Sequence, residues 1–424
     1  MRTLICIPCL LTGGTEIQTL NTVHALVQGG HEVTVACYFE HTPYMVERYR
    51  KAGAKVQLFS PEGTRVGGYR AIPYLYKHLR RTIKAVRPDV THVQYMAPGA
   101  MVILLLWLMG VKNIIATAHT AADIYKDLRL LHFIQRHCLR AFTCITERAE
   151  RSFFGTSQLY TTETVLGKRN HFTIYNALAP RNGEQVRCNV DANVERGTCN
   201  EKTAELYENV DENLCQVVSD TTTQKKNSAM SAAPSLRGRA GGEAPILGVV
   251  SRLELIKGMD LVVPAFAEVL KRFPEVRLLV VGDGTLRATM EQQAAELVCA
   301  DRITWVGRQP QEGLAQWYGQ MDIVLMPSRS EGFGLTAIEA MANGCVMVAS
   351  NVGGLPEVVR DGVCGLLHRT EDVQDMAEKV AMLLGDNELY IRLRAQSLIE
   401  VEKYSFQRYA KSICDLYERL KVKG

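Results

Sequence analysis

Residues Pro327–Glu339 read PSRSEGFGLTAIE. Ahead of them stands Ile323–Met326, a short apolar run of the kind that forms a strand buried on both faces. Pro327 ends it, because proline has no backbone donor for the ladder. Glu331-Gly-Phe-Gly334 then makes a glycine-rich turn, and a helix of about two turns is predicted from Thr336 to Ala342. Strand, turn and helix in this order are the unit of an open parallel sheet, whose ligands gather beyond the carboxyl ends of the strands. Glu331 falls in the turn. Glu339 falls on the helix among Ala337, Ile338, Ala340 and Met341, where a carboxylate requires partners. Backbone N–H groups from Gly334 onward suit a phosphate. A carboxylate such as Glu339 suits a diol, since it accepts two hydroxyl hydrogens.

The same unit repeats in both directions. Upstream, predicted strands Ile246–Val250, Arg277–Val281 and Ile303–Val306 alternate with helices Asp260–Phe273, Leu286–Val298 and Glu312–Tyr318. Downstream come strands Val346–Ala349 and Cys364–Leu367, the short helix Leu355–Val359, and helices Asp372–Leu384, Leu389–Val401 and Phe406–Leu420. The first half alternates likewise. Its strands are Leu4–Ile7, Val33–Tyr38, Lys55–Phe59, Val90–Gln94, Asn113–Ala118, Ala141–Ile145 and His171–Tyr175. Its helices are Thr15–Gln28, with Ile17, Leu20, Val23 and Val27 on one face, then Pro43–Lys51, Ile72–Arg87 and a buried Ala100–Leu108. Residues 181–244 break the pattern. They are polar, hold TTTQKKNS and SAAPSLRGRAGG, and cannot build a core. A flexible insertion beside an interdomain linker is expected there, with room for a small helix at Glu201–Val210. The expected fold class is therefore α/β, with two open parallel sheets in series facing each other across a cleft.

Composition agrees. A chain of 424 residues, 47% hydrophobic and 22% charged, holds material for two cores. A net charge of +4 argues against a general nucleic-acid binder. The twelve cysteines form no regular framework, and Cys6, Cys9, Cys37, Cys138, Cys144 and Cys345 sit in apolar runs, as buried free thiols of a reducing compartment do. MRTLICIPCLLTGG at the start reads as a first core strand rather than a secretion signal. The apolar run Met101–Gly110 is too short to span a bilayer.

Five strand exits carry residues with possible chemistry. Gly13-Gly14 follows the first strand and lets a ligand approach the next helix, although it is not a GxGxxG fingerprint; a plain tight turn reads equally well. His119, in ATAHTAAD, stands where a histidine can bond a sugar hydroxyl or steady developing charge, against the alternative of a buried, satisfied ring. Arg252 and Lys257, in SRLELIKG, can clamp a diphosphate, against the alternative of two solvated loop cations. VVGDGTL offers Gly282 and Gly284 for a sharp turn that Asp283 braces. Pro327–Glu339 is the fifth. NVGGLPEVV, residues 351–359, looks like a sixth ligand-facing turn, ordered by Glu357.

In order and placement these motifs resemble the GT4 family of retaining glycosyltransferases with the GT-B fold, two Rossmann-like domains across a cleft. The resemblance covers nearly the whole chain except 181–244. It implies a donor that is a nucleotide sugar, UDP- or GDP-linked, and a saccharide or lipid-linked acceptor. Glu339 is then placed at the ribose hydroxyls and Glu331 by the donor sugar. Phe333, Gly334 and Leu335 lie near the diphosphate and sugar, with Gly13, Gly14 and Gly282 also at the donor. Arg252 and Lys257 face the leaving diphosphate, and His119 the sugar near the reacting carbon. No obligatory metal or other cofactor is implied. The implied outcome is retention by same-face attack, the departing phosphate helping to deprotonate the acceptor. The implied domains are 1–178 on the acceptor side, 179–244 as linker and insertion, and 245–402 on the donor side, with 403–424 packing back on the first. Two features depart from the family: Thr120 stands where many relatives have aspartate, with Asp123 a candidate substitute, and the insertion is atypical.

The acceptor is least legible. Residues 65–87 carry Arg65, Arg70, Lys77, Arg80, Arg81, Lys84 and Arg87 and no acidic residue. In the helix, Leu75, Leu79, Ile83 and Val86 make an apolar face. Such a segment lies on an anionic membrane or greets a lipid diphosphate; equally, its stripe faces its own core. The expectation is an enzyme of polysaccharide or glycolipid assembly, in the cytoplasm or at the inner face of the membrane. The rival readings are a GT-B sugar-nucleotide epimerase and a non-catalytic nucleotide-sugar-binding subunit.

Overall fold

The structure, a computed structural model, describes residues 1–94, 99–122, 128–165, 169–180 and 244–422. The insertion, the helix expected at Glu201–Val210 and Asp123 lie outside the described residues.

Among the described residues, thirteen strands build two parallel sheets. The first holds β1 (Arg2–Ile7), β2 (Glu32–Cys37), β3 (Lys55–Leu58), β4 (Val90–Gln94), β5 (Ile114–Ala118), β6 (Ala141–Cys144) and β7 (His171–Thr173), in the order β3-β2-β1-β4-β5-β6-β7. The second holds β8 (Ile246–Val250), β9 (Arg277–Val281), β10 (Ile303–Gly307), β11 (Ile323–Met326), β12 (Val346–Ser350) and β13 (Gly365–His368), in the order β10-β9-β8-β11-β12-β13. Strand order reverses between β1 and β4 in one sheet and between β8 and β11 in the other. Crevices for ligands open at such reversals.

Helices cover both faces of each sheet, so the strands are apolar on both sides. In the first domain, Gly14–Gln28, Pro43–Lys51 and Phe406–Val422 share a core with Ile5, Ile7, Val33 and Val35. On the other face, Ala71–Val86, Gly99–Leu108, Arg129–His137 and Glu147–Phe154 pack against Leu4, Cys6, Ala116 and Phe142. The helix Gly14–Gln28 is buried beyond its apolar stripe. The final helix lies along it, and Thr22 Oγ1 meets the Tyr409 hydroxyl at 2.7 Å. Gln18 and Asn21, polar yet buried, pin the chain where it leaves the first domain: Gln18 Oε1 accepts from Ala177 N–H (3.0 Å) and Asn21 Nδ2 donates to the Ala177 carbonyl (2.9 Å). The two chain crossings between domains run side by side, Leu178 N–H donating to the Tyr404 carbonyl at 2.9 Å.

Some expectations need correction. Helices Arg129–His137 and Glu147–Phe154 go unread in the sequence, because each is short and interrupted by charge. Gly99–Leu108 is not buried all round: Met101, Trp107 and Leu108 reach solvent, since only one side meets the sheet. Asp260–Phe273 narrows to Val262–Leu270 after two 3₁₀ turns, and Glu312–Tyr318 narrows to Leu314–Tyr318 after one. The helix expected at Leu286–Val298 ends at Glu296, and Val298 turns left-handed with φ 54°. The stripe Leu75 and Leu79 faces its own core, so the helix Ala71–Val86 offers solvent its cations rather than its apolar face. Cys6 and Cys9 also form a C-x-x-C spacing that the sequence reading passes over. Both are free thiols pushed up by burial, Cys6 to about 12, and Cys9 donates to Glu16 at 3.1 Å.

Candidate active site

Between the domains lies a cavity of about 1030 Å³. Its walls are strand exits of both sheets. Thr12–Thr15 follow β1, His119 and Thr120 follow β5, Ser251–Lys257 follow β8, Gly282–Thr285 follow β9, and Ser328–Glu339 follow β11. Gly13, Gly14, His119, Arg252, Lys257, Gly282, Glu331, Phe333, Gly334, Leu335 and Glu339 all line it. Because β8 and β11 are neighbours at the reversal of strand order, their exits meet although they are remote in sequence.

That adjacency pairs two residues read separately. Lys257 Nζ donates to Glu331 Oε2 at 2.6 Å, with the side chains 22% and 14% exposed. A cation and a carboxylate this close, partly withdrawn from water, form a charge-assisted hydrogen bond at the cleft wall. Arg252 is exposed at the rim, and its guanidinium makes no hydrogen bond among the described residues.

Behind the pair, helix Leu335–Ala342 starts at Gly334, which holds φ 104°. Its first turn, including Leu335 and Thr336, presents backbone N–H groups that no intrahelical carbonyl can take. On this helix Glu339 accepts from Gln311 Nε2 (2.5 Å) and the Tyr318 hydroxyl (3.0 Å). These are the partners its apolar surroundings demand. Burial outweighs them and pushes the carboxyl up to about 7.

Backbones approach closely around the cleft where glycine lets them, as at Gly282 and Gly332. Gly282, with φ 136°, would set a Cβ 1.8 Å from the Ser251 carbonyl oxygen. Gly332 would set one 2.5 Å from the His119 carbonyl oxygen of the other domain. His119 is buried, and its Nε2 meets Gln94 Oε1 at 2.8 Å; burial lowers the ring to about 3, so it is neutral. It is thus a buried, bonded histidine at the edge of the cavity. Phe333 turns its ring away into packing with Tyr175 and Tyr404, so its backbone faces the cleft. Asp283 Oδ1 accepts from Gly284 N–H at 2.9 Å and steadies that turn.

The turn at 351–359 does not line the cavity. Glu357 reaches the first domain, accepting from the N–H groups of Glu147 (2.9 Å) and Arg148 (2.5 Å) at the start of helix Glu147–Phe154. Arg148 Nη1 returns a bond to the Gly353 carbonyl at 3.0 Å. On the opposite rim Tyr44 donates to Glu312 at 3.1 Å and Arg48 pairs with it at 3.3 Å. Thr12, Arg308, Gln309 and Gln311 also line the cavity without any mark in the sequence, and so does Asn176, which the sequence places only near the domain boundary. Polar loop residues carry no local signal; Gln94, at the end of β4, was open to the strand-exit criterion. Among the described residues no three His, Cys, Asp or Glu side chains gather as a metal site.

Known proteins share this architecture. Residues 237–397 match the model for glycosyl transferases group 1, and residues 12–155 match that for glycosyltransferase family 4. A D-inositol 3-phosphate glycosyltransferase of Nocardia farcinica is 39% identical over 193 residues, 44% of this chain and 43% of that protein. One of Xylanimonas cellulosilytica is 35% identical over 205 residues, 47% and 48% of the two. The matched stretch is thus less than half the length of these curated relatives. Anabaena HepE in complex with UDP superposes over 99% of this chain and 100% of its own, with TM-score 0.69 and 16% identity. A glycosyltransferase from Rickettsia africae superposes over 99% and 98%, with TM-score 0.70 and 16% identity. These structures share the GT-B fold.

Proposed function

The chain belongs to the group 1, family 4 glycosyltransferases, and we propose that it transfers a sugar from a nucleotide sugar to a saccharide or lipid-linked acceptor. The observation that carries this reading is the Lys257–Glu331 pair, set with Arg252 and the start of helix Leu335–Ala342 in one interdomain cavity. UDP is the favoured nucleotide, since HepE binds UDP and UDP-glucose in the same fold. In this reading residues 245–402 hold the donor, and residues 1–178 with the final helix receive the acceptor. Glu339 takes the ribose hydroxyls, and Arg252, Lys257 and the helix start take the diphosphate. Glu331 and His119 face the sugar. The acceptor oxygen attacks the anomeric carbon from the face the phosphate leaves. The C–O bond to phosphate breaks as the new one forms, and the acceptor proton passes to the departing phosphate oxygen, with retention of configuration. Lys257 and Arg252 then stabilise the charge that grows on the diphosphate.

A thermal-shift panel of UDP, GDP, ADP and their sugars tests the donor. UDP and UDP-sugars raise the melting temperature, as any ligand of the folded state must; a chain indifferent to all nucleotides would sink the reading. Incubation with donor alone separates the epimerase, which would convert it, from the transferase, which needs an acceptor for full turnover. Binding without turnover across a broad panel marks a non-catalytic subunit.

We also place a peripheral contact with anionic membrane, at the inner face, on residues 65–87. All seven cations there are exposed. Helices Ala71–Val86, Gly99–Leu108 and Arg129–His137 pack side by side without an acidic residue, and expose Tyr76, Trp107, Leu108 and Phe133. No described helix is long and apolar enough to cross a membrane. Each cation near an anionic surface is worth about 1 kcal/mol. Replacing Lys77, Arg80, Arg81 and Lys84 by glutamate therefore lowers sedimentation with anionic vesicles at least ~10-fold, with little change on neutral ones. Salt-insensitive binding, or none, removes the membrane part.

A further inference from the structure

Lys257 and Glu331 stand 74 residues apart on separate loops. Lys257 ends the single 3₁₀ turn Leu255–Lys257 after β8, and Glu331 lies in the glycine-rich turn after β11. The two strands pair only at Ile323–Leu247 and Val324–Gly248, well short of these exits. What joins the loops is Arg329. Its backbone N–H donates to the Ile256 carbonyl at 3.0 Å, and its Nη1 to the Leu255 carbonyl at 2.6 Å. These are the two carbonyls immediately ahead of Lys257, and Arg329 itself stands two residues ahead of Glu331. The rest of the guanidinium is anchored as well: Nη1 and Nη2 fork onto Asp260 at 2.7 and 2.9 Å, and Nε donates to Glu371 at 2.6 Å. The loops press together because Gly258 has no side chain; a Cβ there would lie 1.9 Å from the Pro327 carbonyl oxygen.

We propose that Arg329 is a positioning residue, one that sets Lys257 against Glu331 and so against the departing diphosphate. The inference rests on the transferase reading for its catalytic consequence and on geometry alone for its structural part. Arginine is required, because a lysine cannot hold a carbonyl and a carboxylate fork at once. A structural alternative exists: Arg329 merely steadies a surface loop, as ion pairs of its 21% exposure often do. The two differ in whether the effect passes through Lys257.

The test is a cycle of wild type, Arg329→Met, Lys257→Ala and the double variant. It is read by UDP release from UDP-glucose with acceptor, by UDP titration calorimetry, and by NMR of ¹³C-methylated Lys257. Arg329→Met lowers kcat at least ~10-fold while KM moves less, and Arg329→Lys does not restore it. In a Lys257→Ala background the same substitution costs nothing further, and in the Arg329→Met single variant the Lys257 resonance leaves its paired position. Losses that multiply in the double variant overturn the proposal. If Arg329→Met does not fold, Asp260→Asn loosens the same fork while keeping both backbone anchors, and is judged by the same resonance. If wild type binds none of UDP, GDP and ADP, the transferase reading fails separately. The Lys257 resonance then decides, and an unmoved resonance in Arg329→Met rejects the positioning role.

Discussion

Lys257→Ala lowers kcat for sugar transfer by roughly 10²–10³, the range found when one preorganised group facing developing charge is removed. Nucleotide affinity falls much less. In the proposed arrangement, Arg252 and the N–H groups at the start of helix Leu335–Ala342, which line the cavity, still hold the diphosphate in the ground state. What is lost is the cation 2.6 Å from Glu331, which on the proposed mechanism acts as charge builds on the leaving group. A second effect accompanies it. Glu331, only 14% exposed, is left without its counter-charge at the cleft wall. Lys257→Ala/Glu331→Gln separates the two. If Lys257 merely neutralises Glu331, the double variant regains activity; if Lys257 acts on the diphosphate, the loss stays. Steady-state kinetics with saturating acceptor supplies the comparison, and unchanged kcat in Lys257→Ala would remove it from the reaction.

Glu339→Gln gives the second large effect, and it runs in opposite directions for stability and binding. Burial holds the Glu339 carboxyl at about 7, above its ordinary 4.5. A group raised in the folded state supports folding fully below its unfolded value and loses that support as pH climbs through its folded value. At pH 8 the folded chain therefore carries a carboxylate that costs about 3 kcal/mol relative to a neutral isostere, and near pH 5 most of that cost is gone. Glutamine keeps the shape and can still serve Gln311 and Tyr318. The variant is expected to raise the urea midpoint clearly at pH 8 and little at pH 5. If Glu339 takes the ribose hydroxyls as proposed, nucleotide affinity falls roughly 10–100-fold with the loss of charge-assisted bonds to two hydroxyls. Wild-type affinity should likewise weaken as pH drops below about 7, where the carboxyl gains its proton. Equal stability gains at both pH values would show that the ionised group is not the cause. Unaltered affinity would move the ribose elsewhere.

Much of the local structure was legible because buried parallel strands are short apolar runs bounded by glycine, proline or charge. Ile246–Val250, Arg277–Val281 and Ile323–Met326 are read to the residue. Helix Thr15–Gln28 was found by its apolar stripe, but its second contact is partly polar, through Gln18, Asn21 and Thr22, and periodicity does not register that. Glu357 shows the same limit from the other side. In the sequence it orders its own turn, whereas in the fold it holds a helix of the opposite domain.

The sequence by itself determined the α/β class, the positions of the strands, and the loops that carry unusual residues at strand exits. Each of these depends on a period or a breaker within a few residues. The tertiary structure alone decided which loops meet. Strand order places β8 beside β11, and with that Lys257 beside Glu331, while Arg329 holds the loops together. The opening segment PSRSEGFGLTAIE thus names a cleft wall, but its third residue shows what a linear reading lacks. Arg329 has no period and no motif of its own, and its place follows from carbonyls more than seventy positions away that only a folded sheet brings within 3 Å.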